Sequence, residues 1–246
     1  MDMSFSFSLI GFKLGLFLLI NIFLNSSLIC LVIRSFKFFK SFAPRLFAKS
    51  SSILTSLGFE PSVEIPWSRE NVETIFSESV ESFVVDDLGN VISDKLPEDI
   101  DPKLNMNLFP LYRKVVNGAI EGYAIPISGK GLWGTMYGYF SIEPDGATAK
   151  GITFYKHIET PGLGAEVDKP WFQQNYVGKR FIDKNGNLIG IQAIKGKVDV
   201  SSSESYHQVD GISGATMTSK GLNNFLLKGL KIYNPYFEQV RKESKG

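Results

Sequence analysis

Residues 112–155 read YRKVVNGAIEGYAIPISGKGLWGTMYGYFSIEPDGATAKGITFY, and this stretch is the strongest indicator of the fold class. β-branched and aromatic residues dominate four short runs within it, which is typical of strands. Glycine, proline, asparagine and aspartate separate the runs and predict turns between them. The predicted strands are Tyr112–Val116, Ala119–Ile127, Thr135–Ile142 and Gly151–Tyr155.

Helical patterns lie on both sides of these strands. Asn71–Val85 has the apolar periodicity of an amphipathic helix, and a second helix is predicted from Thr216 until Pro235. Between them, Asp183–Asn187 (DKNGN) predicts the turn of a hairpin. This mixture of strands and helices predicts an α+β domain.

The composition excludes several classes of protein. The chain has 246 residues, a net charge of +1 and 43% hydrophobic residues, so most of it is not disordered. A net charge so near zero argues against a nucleic-acid binder that neutralises phosphates. The single cysteine, Cys30, excludes an intrachain disulfide, and with only two histidines the chain offers little for a metal site. We therefore assign no metal ligands.

The first fifty residues differ from the rest of the chain. They carry six basic groups and one acid, and they contain the uncharged 20-residue run Leu14–Ile33, long enough for a helix across a bilayer core. A cleaved signal peptide would need a basic start and a small-residue cleavage site, of which the N-terminus shows little. A buried soluble helix of this length without a charge is uncommon. We predict a single-pass membrane anchor at residues 1–35, a basic juxtamembrane segment with the N-terminal part of the soluble region at 36–107, and the main soluble domain at 108–246.

The charges beside this run bear on the orientation of the anchor. Five basic residues follow the run and one precedes it. The positive-inside rule therefore favours a cytoplasmic soluble domain, although long domains can cross the membrane regardless of flanking charge. The charge count leaves the side of the membrane open.

Two glycine-containing motifs do not support a cofactor site. Gly129–Gly134 (GKGLWG) matches the dinucleotide pattern G-x-G-x-x-G, but that pattern needs a following helix, and Thr135–Ile142 is β-like. Asp145–Thr148 (DGAT), preceded by a proline, is explained by a type I turn between strands.

A third motif, Asp210–Thr216 (DGISGAT), places small residues and hydroxyls directly before the final predicted helix. The backbone of such a loop can approach a phosphate closely, and the unpaired N–H groups at the positive end of the helix would hold the anion. The alternative is an ordinary Ser or Thr N-cap after a flexible turn. The residues alone leave both interpretations open.

This third motif resembles the flavinylation motif D-x-x-[S/T]-G-A-T of the FMN-binding domain family. The matching residues are Asp210, Ser213, Gly214, Ala215 and Thr216. In that family a separate flavin transferase joins FMN to the final threonine through a phosphoester bond, so the resemblance implies covalent FMN on Thr216. Thr148 has Asp145 where the motif has Ser or Thr, and we expect it to stay unmodified.

Two further stretches narrow the resemblance. Gly131–Tyr139 (GLWGTMYGY) and His157–Val167 (HIETPGLGAEV), together with the predicted anchor, resemble the C subunits of the Na+-translocating NADH:quinone oxidoreductases. The resemblance covers roughly residues 108–233 and implies an FMN-binding domain at 108–246. It implies an electron carrier without catalytic residues of its own, relaying electrons from NADH towards ubiquinone while partner subunits export sodium. It also implies a complex in the bacterial inner membrane with this domain on the periplasmic side, in conflict with the charge count.

The resemblance extends to residues around the flavin. It implies aromatic packing against the ring, a loop along the ring, and a cation that stabilises reduced flavin. The corresponding residues are Trp133, Tyr137, Glu159, Thr160, Leu163, Gly164 and Lys195. Each also has an ordinary interpretation, as a rim or core aromatic, a plain turn or a solvated lysine.

The sequence leaves three other functions open. The flavin subunit of the ion-translocating ferredoxin:NAD oxidoreductase (Rnf) complex shares the threonine motif. A membrane-anchored binding or sensory module would hold FMN non-covalently or not at all. A structural assembly protein would use the motif only as a helix cap.

Overall fold

The structure, a computed structural model, describes residues 46–101 and 104–244. From residue 47 onward its elements belong to one compact unit, Phe47–Gly246. The predicted membrane anchor at 1–35 lies outside the described residues. Within the two described ranges, no helix is long and apolar enough to cross a membrane.

The secondary-structure elements are numbered along the described chain. The strands are β1 (Val80–Asp86), β2 (Val91–Ile92), β3 (Leu108–Val116), β4 (Ala119–Lys130), β5 (Thr135–Ile142), β6 (Ala149–Lys156), β7 (Gln192–Ala193) and β8 (Gln208–Val209). The α-helices are α1 (46–56), α2 (Arg69–Ser79), α3 (Pro170–Gln174) and α4 (Thr216–Glu243). Short 3-10 turns occupy Pro97–Asp99, Gly164–Asp168 and Ser205–His207.

The first six strands form one antiparallel sheet in the order β2-β1-β3-β4-β5-β6. The four predicted strands are confirmed as β3 to β6, with β4 extending to Lys130. Asn117 and Gly118 form the tight turn between β3 and β4. Their φ angles of 51° and 79° are both left-handed, as a two-residue hairpin turn requires. β1 and β2 belong to the same sheet as β3. The sheet therefore includes residues before position 108, where the main soluble domain was predicted to begin.

Helices cover both faces of this sheet. On one face, α4 shares an apolar core with β4 and β5, in which Leu226 packs among residues such as Ile125. On the other face, Leu54 of α1 and Val72 of α2 cluster with Tyr139. Burial of apolar surface on both faces stabilises the sheet. The mixed α and β architecture of the domain was therefore predicted correctly.

The predicted helix Asn71–Val85 is wrong in its second half. α2 ends at Ser79 and β1 begins at Val80. The sequence of β1, VESFVVD, is rich in β-branched residues, and the strand pairs with both β2 and β3. Pairing on both sides outweighs the local helical periodicity.

The prediction that the last helix ends at Pro235 is also wrong, because α4 continues to Glu243. The proline removes one backbone donor. The next turn is nevertheless buried: Tyr236 and Phe237 pack edge-on against Tyr123, with ring centroids 5.9 and 5.4 Å apart. Burial of these rings outweighs the lost hydrogen bond.

The predicted turn Asp183–Asn187 forms, with the Asp183 N–H donating to the Asn187 carbonyl at 2.9 Å. The hairpin around it is minimal, since Ile182 and Leu188 form an isolated pair. The chain then enters β7, which pairs in parallel with β8. This pairing brings the turn that follows β7, residues 194–198 (the β7 turn), to the segment that precedes α4.

Candidate functional site

The loop before α4 leaves the start of that helix without a side-chain cap. The N-cap residue is Ala215, and no side chain accepts a hydrogen bond from the first turn there. Gly214 has a left-handed φ of 72°, which turns the chain into the helix. Thr216, the first helical residue, is exposed. The interpretation of the motif as a Ser or Thr N-cap is therefore wrong, and the first N–H groups of α4 point to a site suited to an anion.

Asp210 is directed away from the helix start. Its Oδ2 accepts a hydrogen bond from Lys197 Nζ at 2.7 Å, and its Oδ1 accepts one from the Val198 N–H at 2.8 Å. These two hydrogen bonds lower the pKa of Asp210 below its ordinary value. The negative charge of the motif thus anchors a neighbouring turn instead of neutralising the helix start.

Hydrogen bonds join β7 to α4 and the turn after β7 to the motif. The Asn223 side chain accepts from the Ala193 N–H at 2.9 Å and donates to the Ala193 carbonyl at 3.0 Å. The Gly211 N–H donates to the Gly196 carbonyl at 2.9 Å. A Cβ at Gly211 would collide with the carbonyl oxygen of Ile194, so this close approach requires glycine.

The β7 turn, the motif loop and the first two turns of α4 enclose a cavity of about 430 Å³. Lys195, Lys197 and Lys220 line it, and among the described residues no carboxylate does. Ser219 also lines it, and its Oγ is buried without a hydrogen-bond partner within the described chain. A buried hydroxyl without a partner is costly. A ligand with acceptor oxygens would satisfy it.

A second group of loops meets at Glu159, which is 5% exposed. Its Oε2 accepts from Thr218 Oγ1 at 2.6 Å and from the Leu132 N–H at 3.2 Å, and its Oε1 accepts from the Trp133 N–H at 3.0 Å. Burial alone would raise the pKa of Glu159, but these hydrogen bonds outweigh burial, and its pKa lies below its ordinary value. The buried carboxylate thus connects the β4–β5 loop to the first turn of α4.

The loop of residues 159–164 packs directly against the motif. A Cβ at Gly214 would lie 2.7 Å from Leu163 Cδ2, so the leucine side chain rests on that glycine. Thr160 is exposed, and its carbonyl accepts from the N–H of Leu163 and of Ala165, both at 3.1 Å. The loop is therefore a tight turn with Leu163 beside the helix start.

Large apolar side chains are exposed around this point. Trp133 is 65% exposed and Leu163 is 42% exposed. Leu132, Ile158 and Met217 are exposed as well. Apolar surface next to an uncapped helix start suits a ligand with a flat ring and a charged end.

The structure does not bring every predicted residue to this place. Tyr137 pairs with Ser128, on the sheet face opposite to Met136, which shares the core with α4. Its ring lies 6.3 Å from that of Tyr155. The predicted residues gathered around the cavity and the helix start are Trp133, Glu159, Leu163, Gly164, Lys195, Ser213, Gly214, Ala215 and Thr216.

Sequence reasoning missed three residues of α4 that line the cavity: Ser219, Lys220 and Asn223. They follow Thr216 at intervals of three, four and seven residues, the spacing of one helix face. That spacing could have identified them once Thr216 had been selected.

Known proteins resemble this chain in sequence and in fold. A model of the FMN-binding domain matches residues 131–231. The C subunit of the Na+-translocating NADH-quinone reductase of Pseudomonas aeruginosa is 38% identical over 206 residues, which are 74% of this chain and 77% of that protein. The chain belongs to this family of C subunits.

Further members of the family agree with this assignment. The Yersinia pestis protein of the same name is 41% identical over 128 residues, covering 51% of this chain and 46% of that protein. The crystal structure of the C subunit from Parabacteroides distasonis superposes with a TM-score of 0.69 at 30% identity, covering 83% of this chain and 96% of that one.

The geometry fits FMN, which the FMN-binding domain of this family implies. FMN has a phosphate at one end and a planar, largely apolar ring system at the other. The cavity offers cations, an uncapped helix start and the unsatisfied Ser219 hydroxyl to the phosphate. The adjoining exposed surface of Trp133 and Leu163 suits the ring.

Proposed function

We propose that this chain is the electron-carrying C subunit of a Na+-translocating NADH-quinone reductase and holds FMN joined to Thr216 by a phosphoester bond. One observation supports this most directly. Thr216 is an exposed hydroxyl-bearing residue at an uncapped helix start, beside a cavity lined by lysines. In the described part of the chain, its hydroxyl makes no hydrogen bond, so it is available to a transferase.

The phosphate end would be held by groups from two segments, α4 and the turn after β7. The first N–H groups of α4, Lys195, Lys220 and the Ser219 hydroxyl surround the position next to Thr216. Their positive charge would balance a phosphodiester that stays ionised at neutral pH. Asp210, Ser213, Gly214 and Ala215 would act by shaping the loop that the transferase recognises.

The ring end would lie on the apolar surface beside the motif. Trp133 and Leu163 would contact the ring, with Thr160 and Gly164 in the loop that borders it. Tyr137 receives no contact with FMN in this proposal, since it lies on the other face of the sheet.

When bound, FMN supplies the reversible electron chemistry. The protein itself retains the group, positions it, and leaves one side accessible to partners. Because Lys195 lines the cavity assigned to the phosphate, the proposal gives it to the phosphate end rather than to the ring that the family resemblance had implied. The proposal includes no catalytic residue in this chain.

The remaining parts of the proposal concern the assembly. Other subunits of a membrane respiratory complex would deliver electrons from NADH, accept them towards ubiquinone and couple this flow to sodium export. A flavin transferase would load Thr216. Residues 1–35 would anchor the chain in the bacterial inner membrane, residues 36–107 would lead from the anchor into the soluble region, and the FMN-binding domain at 108–246 would face the periplasm.

The side of the membrane can be tested in intact cells. A cysteine introduced at the exposed Lys184 would react with a membrane-impermeant maleimide if the domain faces the periplasm. Labelling only after lysis would place the domain in the cytoplasm and overturn that part of the proposal.

The covalent assignment is tested by co-expression with a flavin transferase and fluorescence of the denatured protein in a gel. The wild type should give a fluorescent band, Thr216→Val should lose it completely, and Thr148→Val should keep it. In the assembled complex, Thr216→Val should also abolish quinone-reductase turnover.

Other outcomes would favour the other functions. A dark wild-type band with an active transferase would contradict the covalent assignment and favour a non-covalent FMN module. Full turnover of the Thr216→Val complex would favour a structural role. The similarity to C subunits of the quinone-linked complex favours that complex over the Rnf complex.

A further inference from the structure

The carboxylate of Glu159 is almost fully enclosed by the protein, since the residue is only 5% exposed. A Cβ at Gly131 would lie 2.6 Å from its Oε1, and a Cβ at Gly164 would lie 2.7 Å from its Oε2. Backbone therefore encloses the carboxylate on two sides, and three donors from two segments converge on its oxygens. The group is directed inward, towards the protein.

The backbone of Glu159 is also held in place. Its N–H donates to His157 Nδ1 at 3.2 Å, and His157 Nε2 lies 3.1 Å from Asp168 Oδ2. Because Nδ1 accepts, the ring proton is on Nε2 and faces the carboxylate of Asp168. The histidine thus fixes the turn from which the glutamate side chain extends.

The backbone of Trp133 is held by the same carboxylate. Trp133 is 65% exposed, so packing fixes only a minor part of it, whereas its backbone N–H is tied to the buried carboxylate. The same carboxylate accepts from Thr218, two residues after Thr216. One side chain therefore links the backbone of Trp133, from which the exposed indole extends, to the first turn of α4.

We propose that Glu159 is a positioning residue, which acts through the Trp133 loop and Thr218 to hold the indole in one orientation beside Thr216. The effect of this positioning on the flavin rests on the proposed function. The hydrogen bonds of Glu159 are independent of that function. This role replaces the direct contact with the ring that the family resemblance implied for Glu159.

The chemistry of the site provides a matched variant. Both carboxylate oxygens accept, Oε2 from Thr218 and Leu132 and Oε1 from Trp133. Glu159→Gln replaces one acceptor oxygen by a donor, so at least one N–H or O–H of the protein must face another donor. Glu166→Gln is the control, because Glu166 accepts from Trp171 Nε1 at 3.0 Å and lies in the same region of the chain.

The first measurement is hydrogen–deuterium exchange of the flavin-free full chain at the peptide that contains Leu132 and Trp133. We expect exchange about tenfold faster or more in Glu159→Gln, and wild-type rates in Glu166→Gln. Thr218→Val should accelerate exchange about fivefold. Thr218→Ser, which keeps the hydroxyl, should exchange at the wild-type rate. Wild-type exchange in folded Glu159→Gln would overturn the proposal. If that variant does not fold, the two Thr218 variants decide in the same way.

The second measurement is visible circular dichroism of the flavin-loaded chain. Glu159→Gln should retain the covalent flavin in the gel but change the dichroism of the flavin bands, because the indole next to the ring is reoriented. Thr218→Ser and Glu166→Gln should match the wild type. An unchanged spectrum with faster exchange would reduce Glu159 to a purely structural role and overturn the proposal. A wild-type chain without covalent flavin would refute the proposed function, and the exchange measurement would still test the Glu159 linkage.

Discussion

The tripeptide Gly-Ala-Thr occurs at residues 146–148 and again at 214–216, and its two copies adopt different structures. The glycines are alike, with left-handed φ angles of 64° at Gly146 and 72° at Gly214. The threonines are not: Thr148 leads into β6, whereas Thr216 is the first residue of α4. The same three residues thus precede a strand in one place and begin a helix in the other.

The nearest carboxylate accounts for the difference in chemistry. Asp145 Oδ1 accepts from the N–H groups of residues 147 and 148 at 2.8 and 2.9 Å, and its Oδ2 accepts from Thr148 Oγ1 at 2.6 Å. In the second copy Ser213 precedes the glycine, and Asp210 is occupied by the neighbouring β7 turn. The donors of the first copy are satisfied by Asp145. In the second copy the Ala215 N–H donates to the Ile212 carbonyl at 3.1 Å, but no side chain caps the helix that begins at Thr216.

The comparison shows that the surroundings of a short motif decide which of its groups stay free of partners within the protein. A helix must follow the motif, and the acid of the motif must be directed elsewhere. Three predictions test this dependence, beginning with the largest expected effect.

The first prediction transfers the last four residues of the motif to the other loop, where Ile142 stands at the position of the motif aspartate. In a chain that carries Asp145→Ser and Thr216→Val together, residues 145–148 become Ser-Gly-Ala-Thr, but Thr148 still leads into β6. We expect no covalent flavin on this variant, because no helix start lies there to hold the phosphate. In-gel fluorescence after co-expression with the transferase measures the outcome.

Asp145→Ser alone is the control, and it should stay fluorescent through Thr216. A fluorescent double variant would show that the tetrapeptide is sufficient and that the helix is not required.

The second prediction concerns the stability that Asp210 contributes. Hydrogen bonds from Lys197 and from the Val198 N–H lower its pKa, so its ionised form stabilises the folded state above the unfolded pKa near 4. Asp210→Asn should lower the free energy of unfolding by about 1 kcal/mol at pH 7, and the difference should shrink as the pH falls through the folded pKa. Urea denaturation at several pH values measures it.

Lys197→Gln is the matched variant. The Lys197 side chain is 85% exposed, so solvent screens its interaction with Asp210. Lys197→Gln should therefore lower the free energy of unfolding by less than Asp210→Asn does. A difference that persists unchanged at pH 2 would contradict the role of the ionised carboxylate.

The third prediction compares two hydroxyls in flavin-free protein. Ser219→Ala removes a buried hydroxyl without a partner, so the free energy of unfolding should stay the same or rise by up to about 1 kcal/mol. Thr148→Val removes a hydroxyl that donates to Asp145 and should lower it by about 0.5–1 kcal/mol. If urea denaturation shows an equal loss for both, Ser219 has a partner in the protein and is not reserved for a ligand.

The sequence predicted the elements that depend on neighbouring residues. β3 to β6, the turn at Asp183–Asn187 and the start of α4 follow from periodicity and turn residues. It failed where a distant segment decides the outcome. Pairing with β2 and β3 turned the second half of the predicted Asn71–Val85 helix into β1, and packing against Tyr123 carried α4 past its proline.

The candidate site divides in the same way. The motif and its distinction from the 145–148 turn were visible in the sequence, and the similarity to FMN-binding proteins identified the cofactor. The sequence could not show that Glu159 faces inward or that Tyr137 lies on the other face of the sheet. Both depend on which strands and loops become neighbours.

By itself, the sequence determined a strand-rich domain that ends in a helix, with a phosphate-compatible loop before that helix. Local steric preferences and hydrogen bonds between nearby residues encode these features. Only the tertiary structure decided that Asp210 faces the β7 turn, that Ser219 lacks a partner and that one carboxylate connects Trp133 to Thr218. The partners of a buried polar group come from segments far apart in the chain, so they are set only when the chain folds.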